Sequence, residues 1–287
     1  MNNIKYFLQF TFIIFLFSIF KFLGLKYSKI LSSFLMNLIG FLFRSKKICN
    51  SNLSIVFPQM SADEKNKLLK KMWVNYGKIF AEYIFMNDFR NKQKISQKIL
   101  IENQNILEEI KKDSKPVIFI SGHFSNFELM AMHIEKSGID LAAIYRPLNN
   151  MYLNPLMENI RKKYICKKQI KKGKSGTKEL LKHFKNGGSI ALMIDQRVSE
   201  GIRCDFFNKK ALTTTIPAQF IKKFNAKVVP IYIERLQNSN FKLKISEPLE
   251  FKNDENIENI TLTLNKILEE MITANPEQWI WTHNRWK

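Results

Sequence analysis

The chain has 287 residues, of which 45% are hydrophobic and 25% are charged, and its formal net charge is +21. This composition excludes an intrinsically disordered chain and allows one large hydrophobic core or two small ones. The positive charge favours a polyanionic partner: nucleic acid, anionic lipid or an acidic carrier protein. Lysine enrichment in an A+T-rich genome is the alternative source of part of this charge.

A long uncharged segment opens the chain. Residues 6–20 carry no charge and are rich in Phe, Ile and Leu, and the wider span 4–25 has about the 20 residues that cross a bilayer. A membrane span, a helix lying in the membrane interface, a buried helix and a cleaved signal peptide are the alternatives. The signal peptide is disfavoured because no A-x-A-like cleavage site follows. A second uncharged stretch, 30–43, predicts a helix lying against the membrane or the core.

Basic residues follow this segment, and few precede it. By the positive-inside rule, the rest of the chain then lies in the cytoplasm. The sequence therefore predicts a membrane-anchoring helical region over 1–45 and an α/β domain over 46–287. The basic residues are Lys21, Lys26, Lys29, Arg44, Lys46 and Lys47.

The remaining chain alternates between strand and helix patterns. Ser61 and Glu64 match a helix-capping box, and apolar residues follow at helical spacing. The alternation predicts an α/β fold, with a mostly parallel sheet flanked by helices. Strands are predicted at 116–121, 141–145, 189–194, 227–233 and 243–245, and helices at 126–136, 153–164, 178–184, 216–224 and 257–272.

His123 follows the first of these strands, and Glu128 comes five residues later. A neutral imidazole at a strand end can take a proton from a hydroxyl, and a carboxylate can fix its tautomer. An alternative remains open, because Ser125 and Glu128 also match a capping box and His123 could simply end a strand. Gly122 is expected to let the chain turn sharply before His123.

Two further strands are predicted to end at the same edge of the sheet. Arg146 follows the second and could hold a phosphate or a developing oxyanion. Asp195 follows the third and could orient an arginine. Surface ion pairing is the alternative for each. His133 and His183 are interpreted as packing or surface residues of helices.

Signatures of other chemistries are not found in the sequence. It has no G-x-S-x-G motif, so direct attack by an acceptor hydroxyl is favoured over a covalent acyl-enzyme. The histidine spacings do not match a metal site, and no cofactor is predicted. Cys49, Cys166 and Cys204 form no C-x2-C pair, which argues against a disulfide framework or zinc site and favours a reducing cytoplasm.

Taken in order, several segments resemble the lipid A late acyltransferases, the lauroyl and myristoyl transferases of the lysophospholipid-acyltransferase-like superfamily. The resemblance covers nearly the whole chain. Its segments are 52–53 and 57–58, 122–128 (GHFSNFE), 145–149 (YRPLN), 195–196 (DQ), 206–207, 213–215, 228–230 and 276–281 (PEQWIW).

The resemblance implies an acyltransferase at the bacterial inner membrane that acylates a hydroxyl of a lipid A precursor. It implies His123 as general base, Glu128 as its partner, and supporting roles for Arg161, Asp195 and Arg146. Phe127 stands where the family often has tryptophan. Residues 197–201 replace the aspartate-rich or glycine-rich loop that often follows Asp-Gln in the family, so the resemblance does not specify the acyl-chain or acceptor preference.

The resemblance also implies a donor and leaves alternatives. The family's usual donor is acyl carrier protein, an acidic partner. A lysine-rich tract would suit that carrier or lipid phosphates, or is simply a solvated face; it contains Arg161, Lys162, Lys163, Lys167, Lys168, Lys171, Lys172 and Lys174. The acceptor could instead be another glycolipid or a lysophospholipid. A non-catalytic membrane-binding or nucleic-acid-binding protein is the third alternative, although no nucleic-acid-binding module is visible and no nucleic acid partner is predicted.

Overall fold

A computed structural model describes residues 2–43, 45–238 and 240–287. Arg44, counted above among the basic residues, lies outside the described residues. The helices are α1 (Asn2–Phe43), α2 (Lys46–Val56), α3 (Ala62–Tyr83), α4 (Met86–Asn91), α5 (Gln93–Ser96), α6 (Asn105–Asp113), α7 (Glu128–Lys136), α8 (Leu153–Ile160), α9 (Lys174–Lys185), α10 (Ile216–Phe224) and α11 (Ile257–Ala274). A π-helical turn, Arg161–Ile165, continues α8, and a 3-10 turn, Pro276–Gln278, follows α11.

The strands are β1 (Ile99–Glu102), β2 (Ile118–Ser121), β3 (Leu141–Tyr145), β4 (Lys168–Lys171), β5 (Ser189–Met193), β6 (Ile202–Phe206), β7 (Lys209–Thr213), β8 (Val228–Arg235) and β9 (Phe241–Ile245). Seven of them form one sheet in the order β1-β9-β8-β2-β5-β3-β4. The neighbours from β8 to β4 all pair in parallel, whereas β9 is antiparallel to β8. The predicted α/β class with a mostly parallel sheet flanked by helices is therefore confirmed.

Helices cover both faces of the sheet, which explains why its central strand carries no alternating pattern. All four residues of β2 are buried, as is usual for a parallel strand with helices on each side. The remaining two strands, β6 and β7, form a separate antiparallel hairpin. Its turn residues Phe207 and Asn208 both have positive φ angles, 53° and 56°, which the right-handed strand twist of a tight hairpin favours.

The two uncharged stretches near the amino terminus form one helix, α1, with a kink at Gly24. The kink follows from the backbone of Gly24, whose φ of 72° and ψ of 168° are not helical. Over Asn3–Leu42 the helix is long and apolar enough to cross a membrane, judged by length and composition. Most of its surface is exposed, including the side chains of Phe12, Phe15 and Phe22.

One face of α1 packs closely against α3. A side chain at Gly77 would place its Cβ 2.5 Å from the carbonyl oxygen of Ser32, so glycine is what lets the two helices touch. Further towards the amino terminus, Phe17 and Phe20 lie against the ring of Phe80. The predicted capping box begins α3, because Ser61 and Glu64 each accept a hydrogen bond from the other's backbone N–H.

Candidate active site

His123 and Asp195 meet at the carboxyl edge of the sheet because of strand register. Ser121 of β2 lies opposite Met193 of β5, and His123 and Asp195 each follow two residues after this pair. The ring Nδ1 of His123 is 2.8 Å from Asp195 Oδ1, and the backbone N–H of His123 donates to Oδ2 at 2.9 Å. In place of the predicted contact with Glu128, the imidazole is therefore held by Asp195.

This contact fixes the tautomer of the ring. An ionised carboxylate only accepts hydrogen bonds, so in the neutral ring Nδ1 carries the proton and Nε2 keeps its lone pair. Burial by itself would lower the pKa of His123, but the charge and hydrogen bond of Asp195 outweigh it and raise that pKa. The His123 side chain is 21% exposed, so Nε2 belongs to a ring that a substrate can reach.

Asp195 is completely buried and remains ionised. Burial would raise the pKa of its carboxyl, but His123 and the surrounding hydrogen-bond donors lower it to about 2. One of those donors is the indole Nε1 of Trp279, at 2.8 Å from Asp195 Oδ2. Trp279 lies within segment 276–281 of the family resemblance, but the sequence pattern indicates no role for it. The signal that could have indicated a role is chemical, because a buried indole N–H needs a hydrogen-bond acceptor.

The loop between β2 and α7 is shaped by its surroundings. A Cβ at Gly122 would lie 2.8 Å from the ring of Phe124 and 3.2 Å from Asp195 Cβ, so the site has room only for glycine. The sharp backbone position is instead Ser125, whose φ is 44°. Its N–H donates to the carbonyl oxygen of Gln278 at 2.9 Å. The capping-box alternative is wrong, because Phe127 is the N-cap of α7 and makes no side-chain cap.

A buried ion pair also contacts this loop, through Asn126. Arg235 of β8 makes two hydrogen bonds to Glu82 of α3, and both side chains are almost fully buried. Glu82 also accepts a hydrogen bond from the side-chain amide of Asn126 at 3.0 Å. The backbone N–H of Arg235 donates to the side-chain oxygen Oε1 of Gln278 at 2.7 Å. No sequence pattern indicates this pair, because its members are 153 residues apart in the chain.

Glu128, the first residue of α7, pairs with Arg161 rather than with His123. Arg161 Nε and Nη2 lie 2.8 Å and 2.7 Å from Glu128 Oε1. Burial would lower the pKa of Arg161, but the charge of Glu128 outweighs it and raises that pKa. The guanidinium also lies 6.0 Å from the ring of Tyr83 and 5.8 Å from that of Tyr145. Both charges act on the imidazole: the negative charge of Glu128 raises the pKa of His123, and the positive charge of Arg161 lowers it.

The remaining predicted residues lie apart from this cluster. Arg146 follows β3 on the exposed surface and makes no ion pair with the residues that the structure describes. His133 is buried on α7, and burial together with Lys136 lowers its pKa to about 4. His183 is buried on α9, with Nε2 3.1 Å from the Ser189 carbonyl oxygen. No three metal-ligating side chains come together within the described ranges.

The sequence of the whole chain, residues 1–287, matches the profile of the bacterial lipid A biosynthesis acyltransferase family. It is similar to the lipid A biosynthesis palmitoleoyltransferase of Escherichia coli (strain K12), with 24% identity over 252 residues, 86% of this chain and 80% of that one. The lauroyltransferase of the same strain is 24% identical over 261 residues, 87% of this chain and 81% of the relative. A lipid A biosynthesis acyltransferase of Haemophilus influenzae is 25% identical over 249 residues, 85% and 78%. The chain therefore belongs to the bacterial lipid A biosynthesis acyltransferase family and is an acyltransferase.

Proposed function

We propose that this protein moves a fatty acyl chain from an acyl-carrier thioester to a hydroxyl of a lipid A precursor, with His123 as the general base. The observation that carries the proposal is the His123–Asp195 contact of 2.8 Å, which in the neutral ring directs the proton to Nδ1 and leaves Nε2 of a partly exposed ring as the base. Membership of an acyltransferase family excludes the non-catalytic alternative.

In the proposed reaction, the acceptor oxygen attacks the thioester carbonyl while Nε2 of His123 takes its proton. Asp195 stabilises the imidazolium that forms and remains ionised itself, as its low pKa allows. The tetrahedral intermediate then expels the carrier thiolate, which takes the proton from Nε2. The products are the new ester and the free carrier thiol. General-base help of this kind contributes about 10²–10⁴ in rate.

For Glu128 we propose a role different from the one that the sequence implied. Glu128 uses two of the guanidinium donors of Arg161 and thereby fixes its orientation. A guanidinium has five donors, so others remain to stabilise the oxyanion or an acceptor phosphate. The rings of Tyr83 and Tyr145, 6.0 Å and 5.8 Å from the guanidinium, limit its movement. Arg146 is proposed as an outer contact for the acceptor, since it is exposed at the same edge of the sheet.

An acidic acyl carrier protein is the proposed donor. The seven lysines of the predicted tract are all exposed, and the tract begins at Arg161 itself. Lys168 and Lys171 form ion pairs within the chain, which is what the solvated-face alternative expects. Exchanging Lys172 and Lys174 for Glu should raise the KM for the carrier thioester at low salt, where charge attraction is strongest. The matched control exchanges Lys222 and Lys223, exposed on α10, and should leave that KM unchanged.

We propose that α1 attaches the protein to the bacterial inner membrane, with the α/β domain on the cytoplasmic face. The apolar outer face of α1 supports membrane contact. The inner face of α1 contacts the rest of the protein along its length. Near one end, the carbonyl oxygen of Tyr6 accepts a hydrogen bond from the side chain of Asn150, and near the other, Gly40 lies against the ring of Trp73. These contacts favour a helix held along the domain surface over one that leaves it to cross the bilayer. An impermeant thiol reagent should label a Lys174→Cys variant in inverted vesicles and not in intact spheroplasts.

The decisive experiment incubates membranes containing the protein with several acyl-carrier thioesters, the matching coenzyme A thioesters and a lipid A precursor. Product masses identify the donor and the acceptor. His123→Ala should abolish transfer, and its circular dichroism spectrum should show that the variant still folds, although the buried Asp195 carboxylate loses one of its partners. Unchanged turnover in this variant would refute the general-base role. A lysophospholipid or another glycolipid acylated in place of the lipid A precursor would favour the alternative acceptors.

A further inference from the structure

An apolar cavity of about 190 Å³ lies between α1, α3 and α8. Its walls include Ile13 and Phe17 of α1, Ile79 and Tyr83 of α3, and Met157 of α8. Nearly all of this lining is hydrocarbon or aromatic ring. Such a cavity favours an apolar ligand, because a polar group placed there would lose its hydrogen bonds to water.

One end of the cavity adjoins the active site. Tyr83 lines the cavity and also lies 6.0 Å from the guanidinium of Arg161, which pairs with Glu128. Met157 precedes Arg161 by four residues on one continuous helical segment, so the two side chains project from neighbouring turns of the same face. A chain lying in the cavity would therefore emerge beside the Glu128–Arg161 pair.

The membrane-facing helix is a fixed wall of this cavity. The carbonyl oxygen of Tyr6 accepts a hydrogen bond from the buried Asn150 side chain at 2.9 Å. The ring of Tyr152 packs edge-on against Phe7, with centroids 5.6 Å apart. Because Asn150 and Tyr152 belong to the segment between β3 and α8, these contacts tie α1 to the chain that leads to Arg161.

We infer that this cavity holds the distal part of the donor's fatty acyl chain, and that α1 thereby helps to set the chain length transferred. The inference rests on the proposed function. Cavities of about 150 Å³ bind benzene, so the volume here suits a segment of one hydrocarbon chain. The donor presents a single chain whose carbonyl must reach His123, whereas the chains of the acceptor glycolipid stay among bilayer lipids.

The test compares two adjacent residues of α1. Ile13 lines the cavity, whereas Phe12 is 60% exposed on the outer face. Ile13→Trp should fill part of the cavity, and Phe12→Trp should not. Each buried methylene changes affinity about fourfold. Ile13→Trp should therefore shift the kcat/KM ratio about tenfold or more towards a donor chain two to four carbons shorter. Ile79→Ala enlarges the same cavity and should shift the ratio towards longer chains.

The readout is the mass of the product formed from an equimolar mixture of donors of different chain length. Opposite shifts in Ile13→Trp and Ile79→Ala, with Phe12→Trp like the wild type, support the inference. Identical chain profiles in all four proteins would overturn it, as would a change in acceptor preference with an unchanged donor profile. If the wild type transfers no acyl chain to any acceptor, the proposed function itself fails, so the two failures are distinguishable.

Discussion

The replacement of Asp195 by Asn tests the electrostatic core of the site. Asn keeps the size of the side chain but removes the charge that faces His123 at 2.8 Å. At an effective dielectric constant of about 20, an imidazolium and a carboxylate at that distance attract each other by about 6 kcal/mol. Losing about 3–5 kcal/mol of this support in the transition state would slow acyl transfer about 10²–10⁴-fold, because 1.36 kcal/mol corresponds to a factor of ten.

The pH profile separates this mechanism from simple misfolding. The proposed general base His123 would act in its neutral form, so kcat/KM should rise with pH through the pKa of His123 in the free enzyme. Asp195 raises that pKa above its ordinary value of 6.5. In Asp195→Asn the opposing effect of burial remains, so the pKa should fall and the acid limb should move to lower pH even as the maximal rate drops.

The assay measures initial rates of lipid A precursor acylation from pH 5 to 9, with the detergent and donor held constant. Asp140→Asn is the matched control, because it removes the charge of an exposed carboxylate paired with Lys168 at 2.9 Å. That control should keep both the rate and the pH profile of the wild type. If Asp195→Asn lost activity while its acid limb stayed where the wild type has it, the proposed electrostatic role of Asp195 would be refuted.

Three further changes probe the surrounding structure. Arg161→Lys keeps the charge but loses the two-donor contact with Glu128. A hydrogen bond to a charged group contributes about 1.5–3 kcal/mol, so kcat/KM should fall about 10–10²-fold. Wild-type kinetics in this variant would contradict the positioning role of the pair. Gly122→Ala brings a methyl group to 2.8 Å from the buried ring of Phe124. The variant should have a free energy of unfolding about 1–3 kcal/mol lower in denaturant titrations. An unchanged denaturant midpoint would show that the ring can move. The carboxyl of Asp195 has a pKa of about 2, below its ordinary 3.8, so its contribution is complete above about pH 4 and is lost as the pH falls towards 2. Over that range the wild type should lose about 2 kcal/mol of unfolding free energy more than Asp195→Asn, and parallel stability curves would count against it.

Local patterns were sufficient for most of the central sheet. The predicted bounds of β3 and of α10 match the structure at both ends. Two edge strands, β1 and β4, were not predicted, because each has four residues and too few buried positions to stand out in the sequence. The β6–β7 hairpin was also not predicted. It carries exposed lysines at Lys209 and Lys210, and its buried side chains contact the carboxyl-terminal segment rather than the main sheet.

Sequence alone determined that His123, Arg146 and Asp195 would end three parallel strands, because parallel strands present their carboxyl ends at one edge. Only the tertiary structure decided which groups touch. Glu128 is five residues from His123, but it starts a helix and faces Arg161, whereas the register of β2 against β5 brings Asp195 to the imidazole from 72 residues away. Trp279 and the Glu82–Arg235 pair likewise meet the site through contacts distant in sequence. Periodicity and spacing encode local conformation and burial, whereas the choice among partners depends on how separate elements pack.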